Sequence, residues 1–205
     1  MAYSDFNLAK VREAFGLVIH EPVDLFAKVS SLPPSDSLSQ LIRENLPFAT
    51  ASNTEKARSE LLIAPTLLEV RRRFKLGFFS GVDFSVDPAQ GLNGYCDYLL
   101  TASMELYEIR RPVVTLVEAK NENIKAGLGQ CIAEMVAAQL FNQQTGEAPC
   151  PIYGCVTTGT DWKFLHLDGH HCQIDQRDYF IVEMPSILGI LAAPFVDRSE
   201  YKSFS

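Results

Sequence analysis

Two charged side chains near the middle of the chain are of types that can hold a divalent cation and act on a phosphate group. Glu118 and Lys120 stand two positions apart in Val117-Glu118-Ala119-Lys120, at the end of a strongly apolar run. Successive side chains of a strand point to opposite faces, so these two share a face, about 6–7 Å apart. Charged groups are costly to bury unless they are satisfied. We therefore expect them to face each other, a metal ion or a water-filled cleft.

Asp97 is a lone acid in a second apolar segment, Gly94-Tyr95-Cys96-Asp97-Tyr98-Leu99-Leu100. If this segment pairs with the strand that carries Glu118, the two carboxylates approach each other. Mg²⁺ prefers oxygen ligands and takes one or two protein carboxylates, while waters and phosphate oxygens complete its octahedron. Asp97 and Glu118 beside Lys120 therefore predict a site for Mg²⁺, or for Mn²⁺ in its place.

The elements that must position these residues follow from the periodicity of the sequence. Helices are predicted over 5–18, 36–46, 55–74, 125–142 and 186–193. Strands are predicted over 76–86, 94–101, 112–120, 151–158 and 162–167, with another over 175–184. Ser52 and Glu55 have capping-box spacing, and Pro65 should kink or divide the helix that follows them. The order predicts an α/β or α+β domain with a mixed sheet covered by helices.

This arrangement resembles the PD-(D/E)xK nuclease superfamily. The family pattern is an acid in one strand and acid-x-Lys in the next, often with a Glu on the helix before and a Gln on the helix after. Asp97, Glu118-Ala119-Lys120 and Gln130 match it within residues 53–168. The stretch from Val117 to Asn123 is most similar to an uncharacterised bacterial branch. Cys96 stands where the family name has Pro, a position that is not a ligand.

The resemblance implies an α/β fold of the restriction-endonuclease-like type, with a central mixed sheet flanked by helices. Within a single domain over 1–205, it implies a nuclease-like core over 53–168 and a helical N-terminal addition over 1–48. Many members of this fold act as dimers, so a homodimer is a further expectation.

The resemblance also implies a role for each residue. Asp97 and Glu118 would hold Mg²⁺, with a backbone carbonyl near Ala119. Lys120 would orient the attacking water or offset charge on the phosphoryl oxygens. Gln130 would join the site from the following helix. The implied function is Mg²⁺-dependent hydrolysis of phosphodiester bonds in nucleic acid, with DNA favoured over RNA as the substrate.

Helical spacing selects the acid on the preceding helix. Ile63 and Leu67 follow Glu60 at three and seven positions, so Glu60 is expected on the core-facing side and is assigned to the site. Glu55 is interpreted as part of the helix cap. The alternative for Glu60 is an ion pair with Lys56 on the same helix.

A basic cluster closes the same predicted helix: Arg71, Arg72, Arg73 and Lys75. The chain has a net charge of −7, so it would need such a local patch to bind nucleic acid. The alternative is that these side chains only complement the helix dipole.

Composition limits the class of protein. The chain has 205 residues, of which 47% are hydrophobic and 21% charged, as in an ordinary globular domain. The sequence shows neither a membrane-spanning segment nor a secretory signal. Five cysteines without a CxxC pair predict reduced thiols and a cytoplasmic protein. The spacing of His166, His170, His171 and Cys172 matches no standard zinc site.

A second hypothesis belongs to a different class: a catalytically silent nuclease fold that serves as a binding or scaffold module. Glu118 and Lys120 would then form only an ion pair at a strand end, and Asp97 would accept hydrogen bonds from turn amides. The acidic net charge and the lack of a DNA-reading domain favour this hypothesis. Metal binding separates it from the first.

Overall fold

A mixed eight-stranded sheet forms the centre of the molecule in the computed structural model, which describes residues 1–144 and 150–201. In chain order the strands are β1 (Val18–Val23), β2 (Gly77–Asp83), β3 (Tyr95–Thr101), β4 (Val113–Ala119), β5 (Ile152–Thr157), β6 (Asp161–Asp168), β7 (His171–Asp175) and β8 (Tyr179–Phe180). Their order in the sheet is β1-β7-β6-β5-β4-β3-β2, and β8 pairs with β6. Among these strands, β1–β7 and β4–β5 are parallel pairs and the other pairs are antiparallel.

Helices cover both faces of the sheet. They are α1 (Leu8–Phe15), α2 (Asp36–Ser52), α3 (Glu55–Arg58), α4 (Ala64–Phe74), α5 (Ile124–Gln143) and α6 (Met184–Tyr201). One buried cluster joins α5 and the N-terminal segment to the first face, and a second joins α2, α4 and α6 to the other. The fold is therefore α/β, as expected. Among the described helices, none combines the length and apolar character that crossing a membrane requires.

Most of the expected elements around the candidate site are confirmed, because the strands predicted over 94–101, 112–120, 151–158 and 162–167 and the helix over 125–142 are all present. The strand expected over 175–184 shrinks to the two residues of β8. The strands β1 and β7 had not been predicted.

The N-terminal segment contributes more than helices. β1 lies at the edge of the sheet, parallel to β7, with Val18 opposite His171. Tyr3 is buried, and its hydroxyl donates a hydrogen bond to the Phe84 carbonyl at 2.5 Å. The helical addition expected over 1–48 therefore needs correction, since this segment has helices but also supplies a strand and part of the core.

Pro65 divides the helix predicted over 55–74. A π turn, Ser59–Ile63, joins α3 to α4, and Pro65 lies in the first turn of α4. Proline has no N–H to donate to the carbonyl four residues earlier. That carbonyl belongs to Leu61 and accepts a hydrogen bond from the Asn45 side chain at 3.3 Å instead. The π turn contains one residue more than an α-helical turn, so the side chains of α3 are rotated about the helix axis relative to those of α4.

The expected caps also differ. Helix α2 runs through Pro47 and ends at Ser52, rather than at residue 46. Ser52 is therefore the end of one helix and not the cap of the next. Thr54 caps α3, because its hydroxyl accepts a hydrogen bond from the Ala57 amide at 3.1 Å.

Candidate active site

The pairing of β3 with β4 brings Asp97 close to Glu118. Tyr98 lies opposite Val117, the last residue pair of the β3–β4 register at this end, and Asp97 and Glu118 are the next residues of the two strands. The Asp97 carboxylate is close enough for its charge to raise the pKa of Glu118. Asp97 Oδ2 accepts a hydrogen bond from the backbone amide of Ala119 at 2.8 Å, which fixes the carboxylate at the end of β4.

Glu118 and Lys120 form an ion pair at the end of β4. The Glu118 side chain is 2% exposed and that of Lys120 is 24% exposed, so the carboxylate is buried and the lysine is partly accessible to solvent. Lys120 Nζ donates to Glu118 Oε1. Glu118 Oε2 is buried and has no hydrogen-bond partner among the described residues. The glutamate therefore keeps one oxygen available inside the protein.

The surroundings shift the charge states of both residues. Burial, followed by the nearby charge of Asp97, raises the pKa of Glu118 to about 8, although Lys120 partly opposes the shift. Burial works against the charge of Lys120, but the Glu118 carboxylate outweighs it and raises the pKa of the lysine. Lys120 is therefore a cation at neutral pH, while Glu118 readily takes up a proton when no other cation is present.

Helix α5 adds Gln130 to the site. The side chain of Asn123 caps the helix by accepting a hydrogen bond from the Ala126 amide at 3.2 Å. Gln130 Oε1 accepts a hydrogen bond from Lys120 Nζ at 3.4 Å. Gln130 Nε2 in turn donates to Glu134 Oε1 at 3.2 Å. The structure thus brings Asp97, Glu118, Lys120 and Gln130 together, as the sequence predicted.

Glu60 does not occupy the core-facing position predicted for it. Its side chain is 64% exposed and pairs with Lys56 at 3.8 Å, which is the alternative arrangement. The reason is the π turn, which changes the phase between Glu60 and Leu67. The charge of Glu55, at the start of α3, contributes to the raised pKa of Lys120.

The basic cluster lies away from the site. Arg72 and Arg73 bind the buried carboxylate of Glu69 at 2.8 and 2.5 Å. Glu69 also accepts hydrogen bonds from Ser35 at the start of α2, so these arginines join α4 to α2. Arg71 and Lys75 form no ion pair within the described parts of the chain.

The position of the cluster in the fold explains this separation. It ends α4, just before Gly77, and Gly77 pairs with Thr101 at the end of β3 remote from Asp97. Helix α4 also packs on the face of the sheet opposite α5. The arginines predicted to bind nucleic acid are therefore not neighbours of the candidate active site.

The oxygen atoms of the site suit a hard cation. Glu118 Oε2 is buried without a partner, and so is Asn121 Oδ1, directly after Lys120. Carboxylate and amide oxygens are the ligands that Mg²⁺ and Mn²⁺ take. Sequence reasoning gave no role to Asn121, and its only signal was its place next to the acid-x-Lys pattern. Within residues 1–144 and 150–201, no three His, Cys, Asp or Glu side chains form a metal-binding group. A cation would thus rely on Asp97, Glu118, water and substrate oxygens.

A cleft of about 780 Å³ lies beside the start of α5. Carboxylates outnumber lysines in its lining: Glu21, Glu122, Asp161, Asp175 and Asp178 against Lys125 and Lys163. Asp97, Glu118 and Lys120 are not among its described lining residues. The cleft is a neighbour of the candidate site and would repel a polyanion that approached from that side.

Comparison with known proteins gives no match: no family model, no curated protein and no solved structure matches this chain. The class of protein is therefore described from the fold and the candidate site alone. It is an α/β protein whose mixed sheet carries a buried carboxylate–lysine pair at the end of a central strand, with a second carboxylate on the adjacent strand.

Proposed function

We propose that the protein is a Mg²⁺-dependent nuclease of the PD-(D/E)xK type, built on a restriction-endonuclease-like fold. The observation that carries this proposal is the closeness of Asp97 and Glu118 beside Lys120 at the end of β4, where Glu118 Oε2 is buried and has no partner among the described residues. A bound cation would give this oxygen a partner and would replace the proton that Glu118 otherwise takes up.

The connection between β4 and β5 supports the same proposal. These neighbouring strands are parallel, and α5 joins them in a β-α-β unit. Ligand sites of α/β sheets lie beyond the carboxyl ends of parallel strands. Glu118 and Lys120 are at that end of β4, and the Lys120 amide donates to the Thr157 carbonyl at the same end of β5.

The chain's own residues supply positioning and charge. When bound, Mg²⁺ would polarise the phosphodiester and lower the pKa of an attacking water. Asp97, fixed by the Ala119 amide, and Glu118 would hold the cation. The Lys120 ammonium, kept protonated by Glu118 and oriented by Gln130, would offset the charge that develops on the phosphoryl oxygens. We take DNA as the substrate and a homodimer as the assembly from the resemblance to this superfamily.

A cleavage assay tests the proposal. Plasmid, linear and single-stranded DNA, with an RNA oligonucleotide in parallel, are incubated with Mg²⁺ or Mn²⁺. We expect metal-dependent cutting that falls at least about 100-fold in Asp97→Ala, Glu118→Ala and Lys120→Ala. Asp168→Ala, an exposed acid at the end of β6, is the matched control and should cut normally. Cutting that persists in Lys120→Ala would come from another site or a contaminant and would refute the proposal.

A binding module is the second candidate. Two observations favour it. Arg72 and Arg73 are paired with Glu69 and so are less available to bind DNA phosphates. The cleft beside the site is rich in acids, which repel DNA. Calorimetric titration with Mn²⁺ separates the candidates. A nuclease should bind the ion and lose it on Asp97→Ala, whereas a binding module should be indifferent to both the ion and the substitution.

A further inference from the structure

We propose that Glu134 is a positioning residue, which holds the Lys120 ammonium in place through Gln130 by acting as a hydrogen-bond acceptor rather than as a charge. The consequence of this positioning for catalysis rests on the proposed function. The positioning itself concerns only side chains on α5 and at the end of β4.

A continuous chain of hydrogen bonds connects the two residues. Lys120 Nζ donates to Gln130 Oε1 at 3.4 Å, and Gln130 Nε2 donates to Glu134 Oε1 at 3.2 Å. Positions 127, 130 and 134 are three and four residues apart, so their side chains lie along one face of α5. That face is turned towards β4 and β5, where Lys120 lies.

The chemistry of the groups fixes the direction of this chain. An ammonium group can only donate hydrogen bonds, so Gln130 must present its oxygen to Lys120. Its NH₂ group then points the other way and needs an acceptor, which is Glu134 Oε1. Without that acceptor the Nε2 end of the amide is no longer held, so the Gln130 oxygen is positioned less firmly against the ammonium.

The surroundings of Glu134 indicate that its charge is not what matters. The residue is fully buried, forms no ion pair among the described residues, and its Oε2 has no hydrogen-bond partner. Burial, followed by the charge of Glu118, raises the pKa of Glu134 well above its ordinary value. A neutral acceptor of the same length should therefore perform the same task, which makes Glu134→Gln the conservative variant.

Gly127 completes the support for the lysine. A Cβ atom at this position would lie 3.1 Å from both Cγ and Cε of Lys120, and 2.7 Å from Val156 Cγ1. The missing side chain leaves room for the aliphatic stem of Lys120 against the helix. The stem is thus placed by Gly127 and the ammonium by Gln130, while Glu134 holds Gln130.

The test measures the reactivity of Lys120 directly. The full chain is treated with an amine-acylating reagent, and peptide mass spectrometry gives the acylation rate of Lys120 relative to exposed Lys125. We expect Gln130→Met and Glu134→Met each to raise this ratio about fivefold, because the ammonium is released. Glu134→Gln should stay within about twofold of wild type. The double Met variant should not exceed the singles, since the two groups act in series.

Gln139→Met is the matched control. Gln139 lies on the same helix and donates to the Gly169 carbonyl at 3.2 Å, remote from Lys120. Its loss should leave the ratio unchanged. Circular dichroism verifies that each variant is folded, and methionine is close to glutamate in size, so the core should tolerate it. An unchanged ratio in Glu134→Met would overturn the proposal. So would a Glu134→Gln variant as reactive as Glu134→Met, because charge would then be the active property.

Kinetics separate this inference from the proposed function. If the wild type cleaves DNA, Glu134→Met should lower kcat with little change in KM, and Glu134→Gln should restore it. An unaltered kcat in Glu134→Met would count against the positioning role. If the wild type does not cleave, the proposed function fails, and the acylation rates still decide whether Glu134 positions Lys120.

Discussion

The ionisation of Glu118 is linked to folding. Its pKa is raised from 4.5 to about 8 in the folded chain, chiefly by burial. The folded state therefore binds the proton more strongly than the unfolded state does. The resulting stabilisation is fully present below about pH 4.5 and is lost as the pH rises through about 8.

Glu118→Gln should remove this pH dependence, because an amide does not ionise. Urea unfolding in the presence of a chelator, at about pH 6 and about pH 9, measures the effect. We expect the free energy of unfolding of the wild type to fall between these values by on the order of 2 kcal/mol more than that of the variant. Asp168→Asn, an exposed acid, serves as the control and should follow the wild type. Equal slopes for wild type and Glu118→Gln would show that the buried carboxylate is not linked to folding.

The central site residues could be placed from the sequence because strand parity is a local property. Two positions on one strand share a face whatever the rest of the chain does, which was enough for Glu118 and Lys120. To predict which face of the helix carries Glu60, one must assume regular α-helical spacing as far as Leu67. The π turn before Pro65 breaks that spacing, so the prediction failed. Helical spacing allows a hydrogen bond between Gln130 and Glu134, which are four residues apart. Whether the bond forms depends on how α5 packs against β4, and the sequence does not give that packing.

At the scale of elements, α5 packs closely against two neighbours, the strand β5 and the N-terminal segment. Gly127 faces Val156 on β5, and Gly129 faces the backbone of the N-terminal segment. A Cβ at Gly129 would lie 2.4 Å from Cα and C of Asn7 and 2.6 Å from the Phe6 carbonyl oxygen.

Gly129→Ala should therefore destabilise the protein. Alanine alone would favour a helix by about 1 kcal/mol. Here the added methyl meets backbone atoms that cannot rotate away, so we expect a net loss of about 1–3 kcal/mol in the free energy of unfolding. Urea denaturation gives the value, and Ala126→Gly, at an exposed position of the same helix, gives the propensity effect alone. A more stable Gly129→Ala protein would mean that the N-terminal segment does not pack on α5.

The strands that sequence reasoning missed are short, and one of them pairs only with a distant part of the chain. β7 has five residues, and β1 contains Pro22 and Glu21, which are poor strand formers. β7 pairs with its neighbour in sequence, β6, whereas the only partner of β1 is β7, about 150 residues further along the chain. The longer apolar run of β4, buried along its whole length, was recognisable without knowledge of its partners.

At the scale of the whole molecule, the sheet separates the candidate active site from the basic cluster. The site is on the α5 face at one end of β3, and the cluster is on the α4 face near the other end. The four steps from Asp97 to Thr101 span about 13 Å, and the sheet lies between the two. Charges this far apart are largely screened at physiological salt, where the Debye length is about 8 Å.

Reversing the free charges of the cluster should therefore leave chemistry at the site unchanged. In the double variant Arg71→Glu/Lys75→Glu, we expect the cleavage rate of a short DNA duplex to stay within about threefold of wild type at roughly 50 and 200 mM salt. These two residues are the suitable choice, because changing Arg72 or Arg73 would also release Glu69. Lys120→Ala, assayed beside it, should lose the activity. A large, salt-dependent loss in the double variant would show that the bound duplex reaches around the molecule from α5 to α4, so that both faces belong to one substrate surface.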